Sequence, residues 1–364
     1  MLEKISSINS MPLLAWLIGS ALCGQVALAG DIADAETDNS AKKRHLELGD
    51  RFVKRQDYTN ALIEYELAVR LEPENVKAQF MLAKVLIGLS DYKRAEKILQ
   101  EVVFARPRSS DAHLMLAESY RLQGKLGNAS RTYRRAIKLN RKNGLAYAYA
   151  GECARARNDH SGAIYYSQKA LAVDPKLVVP HLVLAELCLK TALPDIALSH
   201  YKQAIALNSN DPFLHIRYGN TLIKQVQIES ALLEFGKAAE LAPKSHEAHL
   251  GLSWALASTG KTEQALDEAR IALSLAPNSA DAHATLAWIY QKKNNQVAAK
   301  THYKTAVKLN PTSAELRHAL AACLNQSGDL QGAIAELIQA THLMPDDSAA
   351  KLSLSNLLER DIQN

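Results

Sequence analysis

The sequence predicts an all-α solenoid, and three observations carry that prediction. From Lys42 to position 347 the chain repeats every 34 residues, nine units without an insertion or deletion. The twentieth residue of all nine units is alanine, from Ala61 and Ala95 through Ala299 and Ala333. The thirty-second is proline in seven of them, Pro73, Pro107, Pro175, Pro243, Pro277, Pro311 and Pro345, with Arg141 and Ser209 in the other two. A helical unit this short cannot bury its own apolar face and must stack on its neighbours. Such a stack makes an extended surface rather than a catalytic pocket.

Taken from the N-terminus, residues 1–29 read as a secretory signal peptide. Met11–Cys23 is mostly apolar but shorter than the ~20 residues that cross a bilayer. It is followed by Ala27-Leu28-Ala29-Gly30, a small-residue cleavage pattern that places the cut after Ala29. Lys4 is offset by Glu3, so the basic front of the segment is weak, and an uncleaved N-terminal anchor is the alternative. Leu22 before Cys23 argues against a lipoprotein. Residues 30–41 are acidic and polar and are expected to be a flexible linker.

The nine units then run 42–75, 76–109, 110–143, 144–177, 178–211, 212–245, 246–279, 280–313 and 314–347. Each should hold two antiparallel helices. The eighth place is always small (Gly49, Ala83, Ala117, Gly151, Ala185, Gly219, Ser253, Ala287, Ala321), which lets the two helices approach closely. Apolar residues at helical spacing, such as Leu82, Leu86, Ala95 and Leu99, supply the buried stripe. Gly124, Gly260 and Gly328 fall in the turn between the helices, where a left-handed conformation suits glycine. Proline near the end cannot continue a helix. Ser348–Asn364 is expected to be a capping helix, with Leu354, Leu357, Leu358 and Ile362 covering the last unit.

With these columns in place the chain resembles the tetratricopeptide repeat (TPR) proteins. The signature is small–small–aromatic–small–proline, as in Gly49, Ala61, Tyr65, Ala68 and Pro73, and Tyr133, Tyr201, Phe235 and Tyr303 fill the aromatic column of Tyr65. The resemblance implies a right-handed superhelix whose first helices line a concave groove. It also implies that places 2, 5, 9, 12 and 13 of each unit face that groove. The fifth place is mostly apolar here (Leu46, Phe80, Leu114), so the Lys/Asn clamp for a terminal carboxylate known in part of the family is not expected.

Composition fits a scaffold. The chain has 43 Lys and Arg against 38 Asp and Glu and only 6% aromatics, with no phosphate-cradling glycine loop, nucleophile elbow or metal-ligand cluster in the sequence. No enzymatic activity, cofactor or metal is expected. Six histidines, His45, His113, His181, His215, His249 and His283, share the fourth place. Successive ones lie about one helix spacing apart, ~10 Å, too far to share a metal at ~2 Å bonds, so they read as packing residues. Cys153, Cys188 and Cys323 read as small buried residues, with a Cys153–Cys188 bridge as the alternative in an oxidising compartment.

Candidate binding residues come from the ninth and twelfth places. Glu118, Glu152 and Glu186 are consecutive ninth-place residues, joined by Arg121 and Arg155 at the twelfth. Trp254 and Trp288 are consecutive ninth-place residues further along. One reading has the tryptophans gripping an apolar segment while the glutamates orient basic groups. The other has the tryptophans packed on their neighbours and the charges paired at i, i+3. A second patch, Arg131, Arg134, Arg135 and Lys138, should point outward from a second helix. It lies in the stretch 41–143, which carries 22 basic against 12 acidic residues, a net of +10. Anionic lipid or polysaccharide would suit it, and nucleic acid is not expected. The function these features predict is an exported, most plainly periplasmic, scaffold that binds another protein or an extended peptide. A part in cell-envelope assembly, such as exopolysaccharide or pilus biogenesis, and a regulatory subunit of a separately encoded enzyme are the alternatives.

Overall fold

The computed structural model describes residues 38–363, so the signal segment 1–29 and linker residues 30–37 lie outside the described residues. Every element there is an α-helix. The first unit opens with α1 (Asp38–Lys54) and α2 (Tyr58–Leu71); the next three hold α3 (Val76–Gly88) and α4 (Tyr92–Ala105), α5 (Ser110–Leu122) and α6 (Leu126–Leu139), and α7 (Gly144–Ala156) and α8 (His160–Val173). Then come α9 (Val178–Lys190) with α10 (Pro194–Leu207), α11 (Pro212–Lys224) with α12 (Ile228–Leu241), and α13 (His246–Ser258) with α14 (Thr262–Leu275). The last pairs are α15 (Ala280–Lys292) with α16 (Gln296–Leu309) and α17 (Ala314–Gln326) with α18 (Leu330–Leu343), and α19 (Ser348–Gln363) follows. From the second unit on, each first helix begins at the residue that opens its 34-residue period. The helix α1 starts at Asp38, inside the stretch expected to be linker, which is therefore helical over its last four residues.

The alanine columns are the contact surfaces. Ala61, Ala95, Ala129, Ala163, Ala197, Ala231, Ala265, Ala299 and Ala333 are all fully buried. A methyl group at each lets the paired helices close on the bulky twenty-fourth-place residues Tyr65, Leu99, Tyr133, Tyr201, Phe235, Tyr303 and Leu337, which are buried as well. In two units the fit leaves no room for a methyl group at the eighth place: a Cβ on Gly49 would stand 2.6 Å from the Tyr65 ring, and one on Gly219 2.9 Å from Phe235.

Turn chemistry repeats as faithfully as packing. The fifteenth residue of all nine units adopts positive φ, at Gly124, Gly260 and Gly328 and also at Gln56, Ser90, Asn158, Ala192, Val226 and Asn294. In each unit the next backbone N–H donates to a carbonyl five residues back, as in Asp57 to Phe52 and Lys261 to Leu256, both at 2.9 Å. That is the six-to-one bond of a Schellman ending. The same sixteenth residue is the N-cap of the second helix. Asp57, Asp91, Asp159, Asn295 and Asp329 cap it with a side-chain oxygen, while Lys125, Leu193, Gln227 and Lys261 do not.

The helices form two units that divide between Leu187 and Cys188. In the first, apolar clusters run from Ala61, Leu82 and Leu99 through Tyr133 and Cys153 to Val183 and Leu187. In the second, one cluster joins Leu256, Leu266, Leu286 and Ile289, and another joins Tyr303, Leu320, Leu337 and Leu357. The capping helix covers less than its sequence promised. Leu357 is buried and Leu354 packs against the last cluster, but Leu358 and Ile362 face solvent, Ile362 at 86% exposure. The four sit at i, i+3, i+4 and i+8 on one apolar face, and only its Leu357–Leu354 edge meets the last unit, while the Leu358–Ile362 edge is turned away from it. Among the described residues no helix is long and apolar enough to cross a membrane.

Candidate functional site

In the first unit the ninth- and twelfth-place charges form a ladder. Glu118 and Arg121, one turn apart on α5, make a two-pronged pair: Nη2 donates to Oε1 at 2.6 Å and Nε to Oε2 at 2.9 Å. Arg121 Nη1 also reaches Glu152 on α7 at 3.2 Å. Arg155 does not fold back on Glu152; its Nη1 crosses to Glu186 on α9 at 3.0 Å. Two of the three rungs thus join one unit to the next, where the i, i+3 reading of the sequence kept every pair on its own helix. From below, the buried Tyr133 hydroxyl donates to Glu118 at 2.6 Å. Burial pushes the Glu152 carboxyl above the ordinary carboxylate range, Arg121 opposes this and Glu118 adds to it. The three glutamates are therefore largely occupied within the chain.

The tryptophans are in the second unit and are neither free nor buried. Trp254 on α13 and Trp288 on α15 stack nearly parallel, 13° apart with ring centroids at 5.8 Å. The Lys292 ammonium stands over the Trp288 ring at 4.7 Å, one turn along the same helix. Beyond them Gln291 bonds Gln326 at 2.9 Å and accepts the Tyr303 hydroxyl at 3.0 Å. Trp288, Gln291, Lys292, Asn294, Gln296 and Gln326 line a shallow depression. On the other side of Trp254, the ninth place of the preceding unit is Asn220. Where Tyr65 and Tyr133 tie their own ninth-place carboxylates (Asp50 and Glu118), Asn220 stands over Phe235, which has no hydroxyl. Among the described residues its amide has no hydrogen-bond partner, and Lys224 at the thirteenth place of the same helix has no ion-pair partner.

The histidine column does more than pack. His215 Nδ1 lies 2.7 Å from Glu234 and its Nε2 3.0 Å from the Ser209 carbonyl; His249 makes the same two bonds, to Glu268 at 2.6 Å and the Pro243 carbonyl at 3.0 Å. His45 bonds Glu64 and His113 bonds the Pro107 carbonyl. In the ninth unit Arg317 takes the same place and reaches both the Pro311 carbonyl and Glu336. The fourth place thus clamps the second helix of its unit to the loop before it. The signal lay in the sequence as a His or Arg at the fourth place with Glu at the twenty-third. Among the described residues no group of three or more His, Cys, Asp or Glu could hold a metal, and Cys153, Cys188 and Cys323 are free thiols. Arg131, Arg134, Arg135 and Lys138 are all exposed on α6.

Three tetratricopeptide repeat family models match this chain, over residues 52–119 and 297–357, 114–177 and 216–280, and 280–313. The chain belongs to the tetratricopeptide repeat family. As a tetratricopeptide repeat protein it is a scaffold for protein–protein interaction. It is 26% identical over 193 residues to the DnaJ homolog subfamily C member 3 of Mus musculus, covering 48% of this chain and 37% of that protein. A chain of the Cut9–Hcn1 hetero-tetramer of APC/C superposes with a TM-score of 0.60 at 19% identity, over 77% of this chain and 55% of that one. The YrrB structure, described as a TPR protein with an unusual peptide-binding site, matches with a TM-score of 0.46 at 22% identity, over 52% of this chain and 98% of that one. The chain spans little more than a third of the curated relative and about half of the Cut9–Hcn1 chain. The first of these structural likenesses is a likeness of fold.

Proposed function

We propose that the chain is an exported, non-enzymatic tetratricopeptide scaffold that holds an extended segment of a partner protein on the first-helix face of its second unit. The observation that carries this is the Trp254–Trp288 stack, with the Lys292 ammonium over the Trp288 ring and, on the preceding first helix, an Asn220 amide and a Lys224 ammonium that have no polar partner among the described residues. Half-buried aromatic surface with polar neighbours is where binding energy concentrates. The Asn220 amide can donate to and accept from a peptide backbone, and the lysines call for carboxylates beside the apolar anchor. Glu118 and Arg121 hold the first unit together.

The leader pattern ending at Ala29 supports export, and with it a second reading: service in cell-envelope assembly such as exopolysaccharide or pilus export. A regulatory subunit of a separately encoded enzyme ranks third. In-cell crosslinking of the full chain and of a Trp254→Ala, Trp288→Ala form, read by mass spectrometry, tests the site. A dominant protein partner lost in the double variant is expected, with at least ~10-fold weaker binding for two anchor residues. A partner captured equally by both forms removes the tryptophan site. Fractionation of the cells in the same experiment tests export.

A further inference from the structure

The outer face of the first unit carries a second surface with a different chemistry. On α6, Arg131, Arg134, Arg135 and Lys138 sit at i, i+3, i+4 and i+7, all exposed, and among the described residues none has an ion-pair partner; of the four, Arg131 alone bonds a side chain there, Asn128 on its own helix at 2.7 Å. On two other second helices an outward cation is neutralised within its own helix, Lys237 by Glu240 at 3.2 Å and Arg270 by Asp267 at 3.5 Å. The 34-residue register continues this face onto the flanking second helices. Phe104 on α4 occupies the place of Lys138 and is 89% exposed. Tyr165 and Lys169 on α8 occupy the places of Arg131 and Arg135, with the Lys169 ammonium 5.9 Å from the exposed Tyr165 ring. Burial raises the pKa of Tyr166 on α8, and Arg134 is the largest opposing influence, so the α6 cations act across to α8.

We propose that this α4–α6–α8 face docks on the surface of an anionic lipid bilayer, with the α6 cations among the headgroups and Phe104 and Tyr165 at their edges. Like charges crowded at the centre of a patch suit a diffuse sheet of phosphates. A protein partner would need an apolar, desolvated centre, and here the apolar side chains are at the margins, the arrangement of interfacial anchors. Each basic side chain near an anionic surface favours binding by roughly fivefold, so four make an adsorption that is weak singly and substantial together. The site is separate from the tryptophan stack and does not depend on it.

Flotation of the chain from Gly30 on, the product of the expected cleavage, with phosphatidylcholine vesicles with and without phosphatidylglycerol tests this. Binding is expected only with phosphatidylglycerol and should weaken as salt shortens the screening length. Reversing all four charges (R131E, R134E, R135E, K138E) should lower it at least ~100-fold, while helix content and melting match the parent. The milder R134E, R135E pair should give an intermediate loss, and Phe104→Ser a smaller one. Every form begins at Gly30, so the N-terminal apolar segment adds no flotation of its own, and the Trp254→Ala, Trp288→Ala form should float as the parent does. Equal flotation with neutral vesicles overturns the proposal, as does flotation that survives the four reversals. Patch-dependent binding of soluble poly-glutamate without any flotation would assign the face to an acidic macromolecule instead.

Discussion

At the scale of single residues, the fourth-place histidines show how much of a position's role its partner decides. In His215 and His249 one ring nitrogen faces a carboxylate and the other a backbone carbonyl, so a single ring ties the second helix and the preceding loop together. Arg317, with Glu336 and the Pro311 carbonyl, makes the same two contacts with a permanently charged group. His249→Gln should therefore cost about 1–3 kcal/mol, since a buried carboxylate-bonded donor is lost. His249→Arg should recover most of that loss. Urea denaturation of both variants measures it, and an equal loss in each would mean that only ring packing matters. The column of histidines was plain in the sequence, but its purpose was not, because a histidine alone does not say whether its neighbour is a metal, an apolar wall or a carboxylate 19 residues away. The matching Glu64, Glu234 and Glu268 were the legible half that a column-by-column reading passed over.

At the scale of the element, helices and their limits followed from the sequence because packing and termination repeat: alanine where two helices touch, proline where a unit closes. The turns were legible only in part. Gly124, Gly260 and Gly328 declare a left-handed residue, yet six other units place the same conformation on other residues, two of them asparagines that tolerate it (Asn158, Asn294) and four that resist it (Gln56, Ser90, Ala192, Val226). Val226 is the most strained of these, β-branched at φ 59° and 80% exposed, so it gains no packing in return. Val226→Gly should raise stability by about 1 kcal/mol, the left-handed penalty removed less the extra chain entropy of glycine. The check is the urea midpoint at an unchanged slope. A loss of stability would show that the strain is relieved by some contact of the valine. The cross-unit ion pairs were hidden for a related reason. Arg121 to Glu152 and Arg155 to Glu186 each span 31 residues, a twelfth place reaching the next ninth, and the sequence offers both arginines an i, i+3 partner that Arg121 keeps and Arg155 leaves, a choice only geometry makes.

At the scale of the whole molecule, a repeat array is stabilised by each unit and by its contacts with the next, so damage should travel only as far as those contacts do. The capping helix α19 gives a direct test. Ala350 and Leu357 seal a cluster that includes Leu320 and Leu324 of α17 and Ile334 and Leu337 of α18. Fully burying one leucine contributes ~1.5–3 kcal/mol, so ending the chain at residue 347 removes a few kcal/mol from the ninth unit and leaves its apolar face wet. Hydrogen exchange should then show a large loss of protection in α17 and α18, a smaller one in α15 and α16, and none in α11 and α12. A uniform loss along those helices would mean that the second unit folds as one cooperative body, with the cap stabilising all of it. The distinction matters for function, because Trp254 and Trp288 sit on α13 and α15. If the array frays from its end, a scaffold that has lost its cap keeps Trp254 ordered while Trp288, closer to the melted end, loses the support that Tyr303 and Gln291 provide. Partner binding by the capless chain should then fall further than its overall stability predicts, and a Trp288→Ala change should cost it less than it costs the full chain.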